Sequence, residues 1–555
     1  MHAGEAVAEA LREEGVERVF SVPGSHIHPI YDGLSRVSTI RMVTCKQEPN
    51  VSLMADAYGR LTGKPGVCVV TAGPGCVNSM AGVAQAYGAA SPMVHISGAV
   101  PLKAELEAFH GVDDPAFIHE MFKKITKWSA RVERIEDIPG VMAKAFHIAR
   151  SGRPGPVHVE LPRLSDYSEF ILQESRAVLP AYQTLPTQVT LPDPKDIDRF
   201  AKRLMESRSP VIAAGKGIIR KGAMRELAEL SLKVQAPVIF AQDAIGVIPE
   251  EHPFFAGHFQ HYRSHPLCVE ALKRTDLVLA VGLRAGTAEL TELRERAPEK
   301  NLILVGFDDG PDSRYRGEDQ RVADPRLFLA ALLERLGNYQ RPRDEALIRR
   351  LAEGKAAVRA SLAAQNEPHR SDRPIHPGVL MDAMNAVLDD NAVVASDVGN
   401  CQMWARTFRR IATPESFMQS GVWNAMSHGL PTAIVAKMEF PGRDVLALAG
   451  DGAFLMTIGD LPTAVEYGAN ILMIVLNDGA FGQTFMQQSN LYGHTYGTSF
   501  HSPDFVEIAR ACGAEGIRVT DPKDVEGALR QGLAATKKRP VLVEVMVGRH
   551  PYPKI

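Results

Sequence analysis

Apolar residues in this chain come in short unbroken runs. Positions 40–45, 67–70, 155–162, 210–215, 236–240, 277–282, 302–306, 392–396, 445–449 and 471–476 each read as a buried strand, being strand-sized, aliphatic and bounded by turn-forming residues. Helix-forming stretches such as 378–388 and 458–467 lie between them. Strands alternating with helices predict parallel sheets. The pattern lapses twice. A Pro- and Thr-rich stretch over 179–194 reads as a linker, and a charged, polar connector spans 341–374. The expected fold is α/β with three domains, 1–165, 190–340 and 375–555, each a parallel sheet flanked by helices. A length of 555 residues fits three domains better than one core.

Composition narrows the class. Hydrophobic content is 45% and charged content 23%, ordinary for a globular chain, and the net charge of −3 gives no nucleic-acid surface. The amino-terminal stretch carries acids and lacks the apolar core of a signal peptide. The longest apolar runs are strand-sized, so no membrane span is expected. Six cysteines are scattered without a CxxC pair, which fits a reducing, cytoplasmic setting and argues against a zinc site or a disulfide frame.

The chemistry concentrates after two of the runs. Gly450-Asp451-Gly452-Ala453-Phe454 follows 445–449, and Leu476-Asn477-Asp478-Gly479 closes 471–476. Two carboxylates thus arrive at the carboxyl ends of two parallel strands, where an open α/β sheet places its ligand crevice. Gly450 and Gly452 permit close approach of a bulky anion. Oxygen ligands there suit Mg²⁺ bridging to a diphosphate.

This pair resembles the thiamine-diphosphate motif, a GDG triplet followed one helix and one strand later by an Asn-Asn or Asn-Asp pair. The amino-terminal third resembles the other half of the same site. Lys46-Gln47-Glu48-Pro49 ends a strand, a helix carries Met54 to Arg60, and Gly73-Pro74-Gly75-Cys76-Val77-Asn78 stands at a second helix start. Together these resemble the acetolactate-synthase-like and 2-oxo acid decarboxylase superfamily over nearly the whole chain. The resemblance implies a pyrimidine-binding first domain, a middle domain and a diphosphate-binding third domain, the first and third being one fold used twice.

It also implies roles. Asp451, Asp478 and the carbonyl of Ala480 would hold Mg²⁺. Gly399, Asn400 and Cys401, in Ser396–Trp404, would meet the diphosphate at a helix start, with Gly452, Ala453 and Gly75 also at the cofactor. Met426 would prop the bent cofactor, or simply fill core. The backbones of Asn424 and Met426 would face its aminopyrimidine, although the family has Gly where Asn424 and Ser427 stand. Glu48 would exchange a proton with the pyrimidine ring, a task suited to an apolar seat; otherwise it is a helix-start carboxylate. The cofactor would accept the electrons left when the bond beside a carbonyl breaks.

Substrate is less legible. His26, in Ser21-Val-Pro-Gly-Ser-His26, stands where carboligases of the benzaldehyde lyase kind carry a histidine facing the reacting centre. His110 falls at the second histidine of the His-His pair of pyruvate- and phenylpyruvate-type decarboxylases, with Phe109 replacing the first. Either histidine is a reasonable proton donor near neutrality, or an ordinary turn or loop residue. His428 approaches the site or caps a helix. Asp113-Asp114-Pro115 replaces the Phe-Gln-Glu of acetohydroxyacid synthase, and the segment from Gly482 to Gln487 lacks its tryptophan. Around Pro253 to His258 no clear FAD pattern is visible, so obligatory FAD is not expected. Residues 485–492 read as a lid or a polar surface helix. Three functions compete: a carboligase or lyase passing an acyl unit to an aldehyde or oxo acid, a non-oxidative 2-oxo acid decarboxylase, and a non-catalytic binding or regulatory subunit. In this family Glu48 and the metal motif meet across a subunit interface, which implies a homodimer or a dimer of dimers.

Overall fold

A computed structural model of the chain describes residues 1–100, 110–162, 177–259, 264–284, 288–296, 301–308 and 319–553. The apolar runs become parallel strands in three six-stranded sheets. The first holds β1 (Arg18–Ser21), β2 (Arg41–Thr44), β3 (Gly66–Val70), β4 (Met93–Ala99), β5 (Trp128–Arg131) and β6 (Pro156–Pro162). The second holds β7 (Pro210–Ala214), β8 (Val238–Ala241), β9 (Phe255–Phe259), β10 (Leu277–Val281), β11 (Asn301–Gly306) and β12 (Gln320–Val322). The third holds β13 (Val393–Ser396), β14 (Phe417–Gln419), β15 (Val445–Gly450), β16 (Leu472–Asn477), β17 (Glu515–Val519) and β18 (Val541–Met546).

The orders are β2-β1-β3-β4-β6-β5 and β14-β13-β15-β16-β18-β17 in the outer two sheets. Strand for strand these are the same order, so one topology is indeed used twice. The middle sheet runs β12-β11-β10-β7-β8-β9, the doubly wound arrangement of dinucleotide folds. In the outer sheets the order reverses between first and third strands. That places one crevice at the carboxyl ends of β1 and β3 and another at those of β13 and β15.

Among the elements that the sequence reading did not name, three have a plain physical reason. The connector around 341–374 contains a 22-residue helix, Glu345–Asn366, capped by Asp344 and burying only Leu351 and Leu362 with Asn366. One narrow covered face leaves the rest charged, which made it read as a linker. Strands β9 and β12 were not expected either. They are the two edges of the middle sheet, and β12 is only half-buried, so neither shows a continuous apolar run. By contrast 177–193 has no regular secondary structure, as its Pro and Thr content predicts.

The first and third domains share a core. Val51, Met54 and Tyr58 of helix Glu48–Thr62 join Ala433 and Ile434 of helix Gly429–Glu439 in one apolar cluster. Polar bonds fix that contact. Buried Asp460 accepts from the Lys46 N–H at 2.7 Å, from Asn50 Nδ2 at 2.5 Å and from Thr463 Oγ1 at 2.7 Å. The Thr44 N–H donates to the Tyr467 hydroxyl at 2.8 Å, and Arg18 Nε to Glu439 at 2.5 Å. Because Asn50 is itself fully buried, removing its acceptor strands a donor. Asp460→Ala is therefore expected to destabilise the chain by about 1–3 kcal/mol, or more where the lost partner is charged. Chemical denaturation of the two proteins measures this, and an unchanged midpoint would show that Asp460 does not hold the domains together.

Candidate functional site

The crevice at β13 and β15 opens into a cavity of about 100 Å³. Three helices begin on it: Asn400–Phe408, Asp451–Leu455 and Gly482–Tyr492. None of the three has a side-chain cap. Apart from the Gly452 N–H, which donates to Asp451, their first N–H groups lack the usual side-chain acceptor, an arrangement that suits an anion. Gly399, Asn400, Cys401, Met426, Asp451, Gly452, Ala453, Asp478 and Ala480 all line it. Nine sequence-predicted positions are thereby brought together.

The carboxylates sit at opposite degrees of restraint. Asp451 is buried; its oxygens accept from the Gly452 and Gly479 N–H groups and from Ser502 Oγ, each at 2.8 Å. Burial raises its pKa, against the pull of those bonds. Asp478 is half-buried, and burial together with the Asp451 charge pushes its pKa up to about 6. Arg549 Nε stands 3.7 Å from Asp478 Oδ2. Two carboxylates crowded this way favour a divalent cation. A Cβ on Gly482 would lie 2.4 Å from Asp478 Oδ2, so glycine is needed for the helix to start so close.

Asn424 and Ser427 have φ of +58° and +77°, so this segment keeps a left-handed backbone without glycine. Asn tolerates that region readily, Ser less so. Asp397, not singled out from the sequence, holds the segment in place. Its fully buried carboxyl accepts from the Val398 N–H at 2.8 Å and from the Ser427 and Gly429 N–H groups at 3.0 Å. Burial lifts its pKa to about 6. Cys401 contributes backbone only, since burial pushes its thiol up to about 12.

The carboxyl-terminal tail was also missed. Arg549 donates to the Asp478 carbonyl at 2.5 Å and lies over the Phe485 ring at 4.2 Å; the Tyr552 hydroxyl donates to Asn400 Oδ1. A cationic and aromatic run directly after the last strand was the available signal. His550, at the cavity wall, has its ligand nitrogen within 4.8 Å of those of His369 and His376. The latter two rings stack at 4.4 Å and 10°, so their lone pairs lie in near-parallel planes, which does not favour convergence on one ion.

The amino-terminal candidates lie elsewhere. Among the described residues none before Pro377 lines this cavity. Glu48 opens its helix half-buried and accepts from Asn78 Nδ2 at 3.2 Å, so the apolar seat expected for it is not formed within the chain. Gly75 is buried at the start of helix Pro74–Ala89. His26 and His110 do come together, ring centroids 4.9 Å apart and planes at 25°. His26 is buried, not the solvated turn residue that was the alternative, and its Nδ1 lies 3.3 Å from Ser25 Oγ. His110 has a φ of +66°, and a Cβ on Gly73 would lie 2.3 Å from its carbonyl oxygen. Phe109 lies outside the described residues. His428 holds the N-cap position of its helix without a side-chain cap bond and does not line the cavity; it is buried beside Gln85 and Thr432, between the two domains.

Comparison with known proteins agrees with this geometry. Residues 1–121 match the "Thiamine pyrophosphate enzyme, N-terminal TPP binding domain", 197–332 its central domain and 397–545 its C-terminal TPP binding domain. The chain is 31% identical to a probable acetolactate synthase large subunit of Methanocaldococcus jannaschii, over 99% of this chain and 92% of that one. It is 31% identical to the acetolactate synthase isozyme 3 large subunit of Escherichia coli, over 100% and 96%. It is 32% identical to an acetolactate synthase of Mycobacterium bovis, over 98% and 88%. Among the described residues no helix is long and apolar enough to cross a membrane. The chain belongs to the thiamine pyrophosphate enzymes and, within them, to the acetolactate synthase-like carboligases.

Proposed function

We propose that this enzyme takes an acyl unit from a 2-oxo acid or 2-hydroxy ketone and passes it to an aldehyde or a second oxo acid, using thiamine diphosphate and Mg²⁺. The observation that carries the reading is the convergence of three uncapped helix starts and two crowded carboxylates on one cavity. Asp451, Asp478 and the Ala480 carbonyl hold the cation. The N–H groups of Gly399, Asn400, Cys401 and Ala453 would bind the diphosphate, Gly452 would leave room for it beside Asp451, and Met426 and Asn424 would support the rings. When bound, the cofactor supplies the nucleophilic carbon and the electron sink. Glu48, with Gly75 nearby, serves the cofactor held by the third domain of a partner copy, where it takes and returns a proton. His26 and His110 stand at the reacting carbon as proton donors, and the exposed helix Gly482–Tyr492 excludes water there.

A second reading, simple decarboxylation to an aldehyde, is favoured by the His26–His110 stack, because a second element supplies the histidine that Phe109 replaces. Incubation with pyruvate, with and without benzaldehyde, separates the two. A 2-hydroxy ketone or a 2-hydroxy-2-methyl oxo acid supports ligation. Aldehyde alone supports the second reading. No turnover of any aliphatic, aromatic or charged 2-oxo acid, nor of a 2-hydroxy ketone such as benzoin, defeats both.

Asp451→Ala is expected to weaken cofactor binding at least about 100-fold, while Asp478→Asn, which keeps an oxygen ligand, stays within about threefold of the parent. Calorimetric titration of thiamine diphosphate with Mg²⁺ measures both, and tight binding by Asp451→Ala removes the metal assignment.

Glu48→Gln should bind cofactor normally yet slow hydrogen–deuterium exchange at its C2 by about 10²–10⁴, because an amide cannot accept the relayed proton. His110→Ala should leave that exchange intact and alter turnover or product ratio. Unchanged exchange in Glu48→Gln contradicts its role; unchanged turnover and products in His110→Ala make it a loop residue.

Assembly has its own test. Glu48→Gln and Asp451→Ala homodimers are each expected to be inactive. Subunit exchange between them should restore about a quarter of parental activity, since half the dimers are mixed and each mixed dimer has one intact site. No restoration on verified exchange means that both residues serve one cofactor within a chain.

A further inference from the structure

The middle domain carries a second cavity, of about 280 Å³, at the amino ends of β7 and β8, away from the carboxyl-end crevice of that sheet and outside the third domain. Its walls are the residues leading into those strands, helix Pro266–Arg274 and the first turns of helix Glu345–Asn366. Four arginines reach it, Arg208, Arg274, Arg341 and Arg350, against two carboxylates, Glu270 and Asp344. The lining thus holds an excess of two positive charges.

The carboxylates do not quench that excess. One oxygen of Glu270 is shared, 3.2 Å from Arg274 Nη2 and 3.2 Å from Arg350 Nε. Asp344 spends an oxygen on capping the long helix, accepting from the Leu347 N–H at 2.8 Å. Arg341 Nη2 donates to the Leu204 carbonyl at 2.8 Å, but its Nε is shut off from solvent and has no hydrogen-bond partner among the described residues. A buried N–H left unmatched on a charged group is unfavourable, and like charges gathered round a hollow repel. A dianion placed there offsets that repulsion. Guanidinium forks match the oxygens of phosphate in geometry as well as charge. The volume approaches the lower end of small-molecule pockets, about 300–1,000 Å³, and Leu267, Leu347 and Leu351 give it apolar walls.

We propose that this cleft binds a phosphate dianion, free or carried on a small organic body, and that the ligand fastens helix Glu345–Asn366 to the middle sheet. The test uses enzyme saturated with thiamine diphosphate and Mg²⁺, so that the cofactor cavity is filled, at fixed ionic strength. Inorganic phosphate and adenosine monophosphate are titrated separately by calorimetry. Saturable binding of either, below about 10 mM, is expected. Equal affinities mean that the phosphate group alone is read; tighter binding of the monophosphate ester means that the apolar walls are read too. Arg208→Gln, at an exposed position that folding does not require, should weaken binding at least about fivefold, and Arg341→Gln with Arg350→Gln at least about tenfold, with affinity for thiamine diphosphate unchanged. The proposal is overturned if neither ligand saturates, or if Arg208→Gln and the double variant both bind as the parent does.

Discussion

Parallel strands joined by helices leave one gap that the topology cannot close, at the carboxyl ends of the two strands where the order reverses. In the third sheet those strands are β13 and β15; Asp397 and Asp451 follow them directly, and Asp478 follows the neighbouring β16. Helix starts must fall beside the gap, because each strand hands the chain to a helix there. Carboxylates placed at the same strand ends then face the positive ends of helix dipoles. The fold thus presents donors and acceptors to one small volume from the turns that join strands to helices.

Asp397 shows what keeps that volume in shape. A buried carboxyl is unfavourable unless its oxygens are occupied, and here they are occupied by N–H groups from two separate stretches of chain. The left-handed turns at Asn424 and Ser427 aim those N–H groups at it. Backbone strain and buried charge are unfavourable separately; together each supplies what the other lacks. The same logic holds for Asp451, whose oxygens collect N–H groups from the Gly452 and Gly479 turns and the Ser502 hydroxyl.

What was legible in the sequence was whatever is local. The β15 and β16 runs, the glycine turns after them and the two aspartates are all written within a few consecutive residues. Ser502 and Arg549 were not legible, because their meaning lies in partners distant along the chain. Edge strands β9 and β12 escaped because an edge is covered less and loses the apolar signature that marks the centre. Helix Glu345–Asn366 escaped for the same reason in another form, since one thin buried stripe in a mostly charged surface resembles a solvated tether. The pairing of His26 with His110 was foreseeable only as two isolated residues; one follows β1 and the other lies between β4 and β5, so their stacking joins stretches far apart in the chain.

The two interdomain joins differ in kind, and the difference bears on how such a chain can change over generations. The join at 177–193 is irregular coil, pinned to the first domain at points such as Tyr182 on Glu14 and Gln188 on Ser151, so residues added or lost between the pins alter its slack and little else. The other join contains a helix, which fixes angle as well as distance. One inserted residue there lengthens it by about 1.5 Å and turns everything beyond by about 100°. Length variation among descendants of this chain should collect in the first join and be purged from the second. The second join behaves as a ruler with a built-in protractor, whereas the first is only a string.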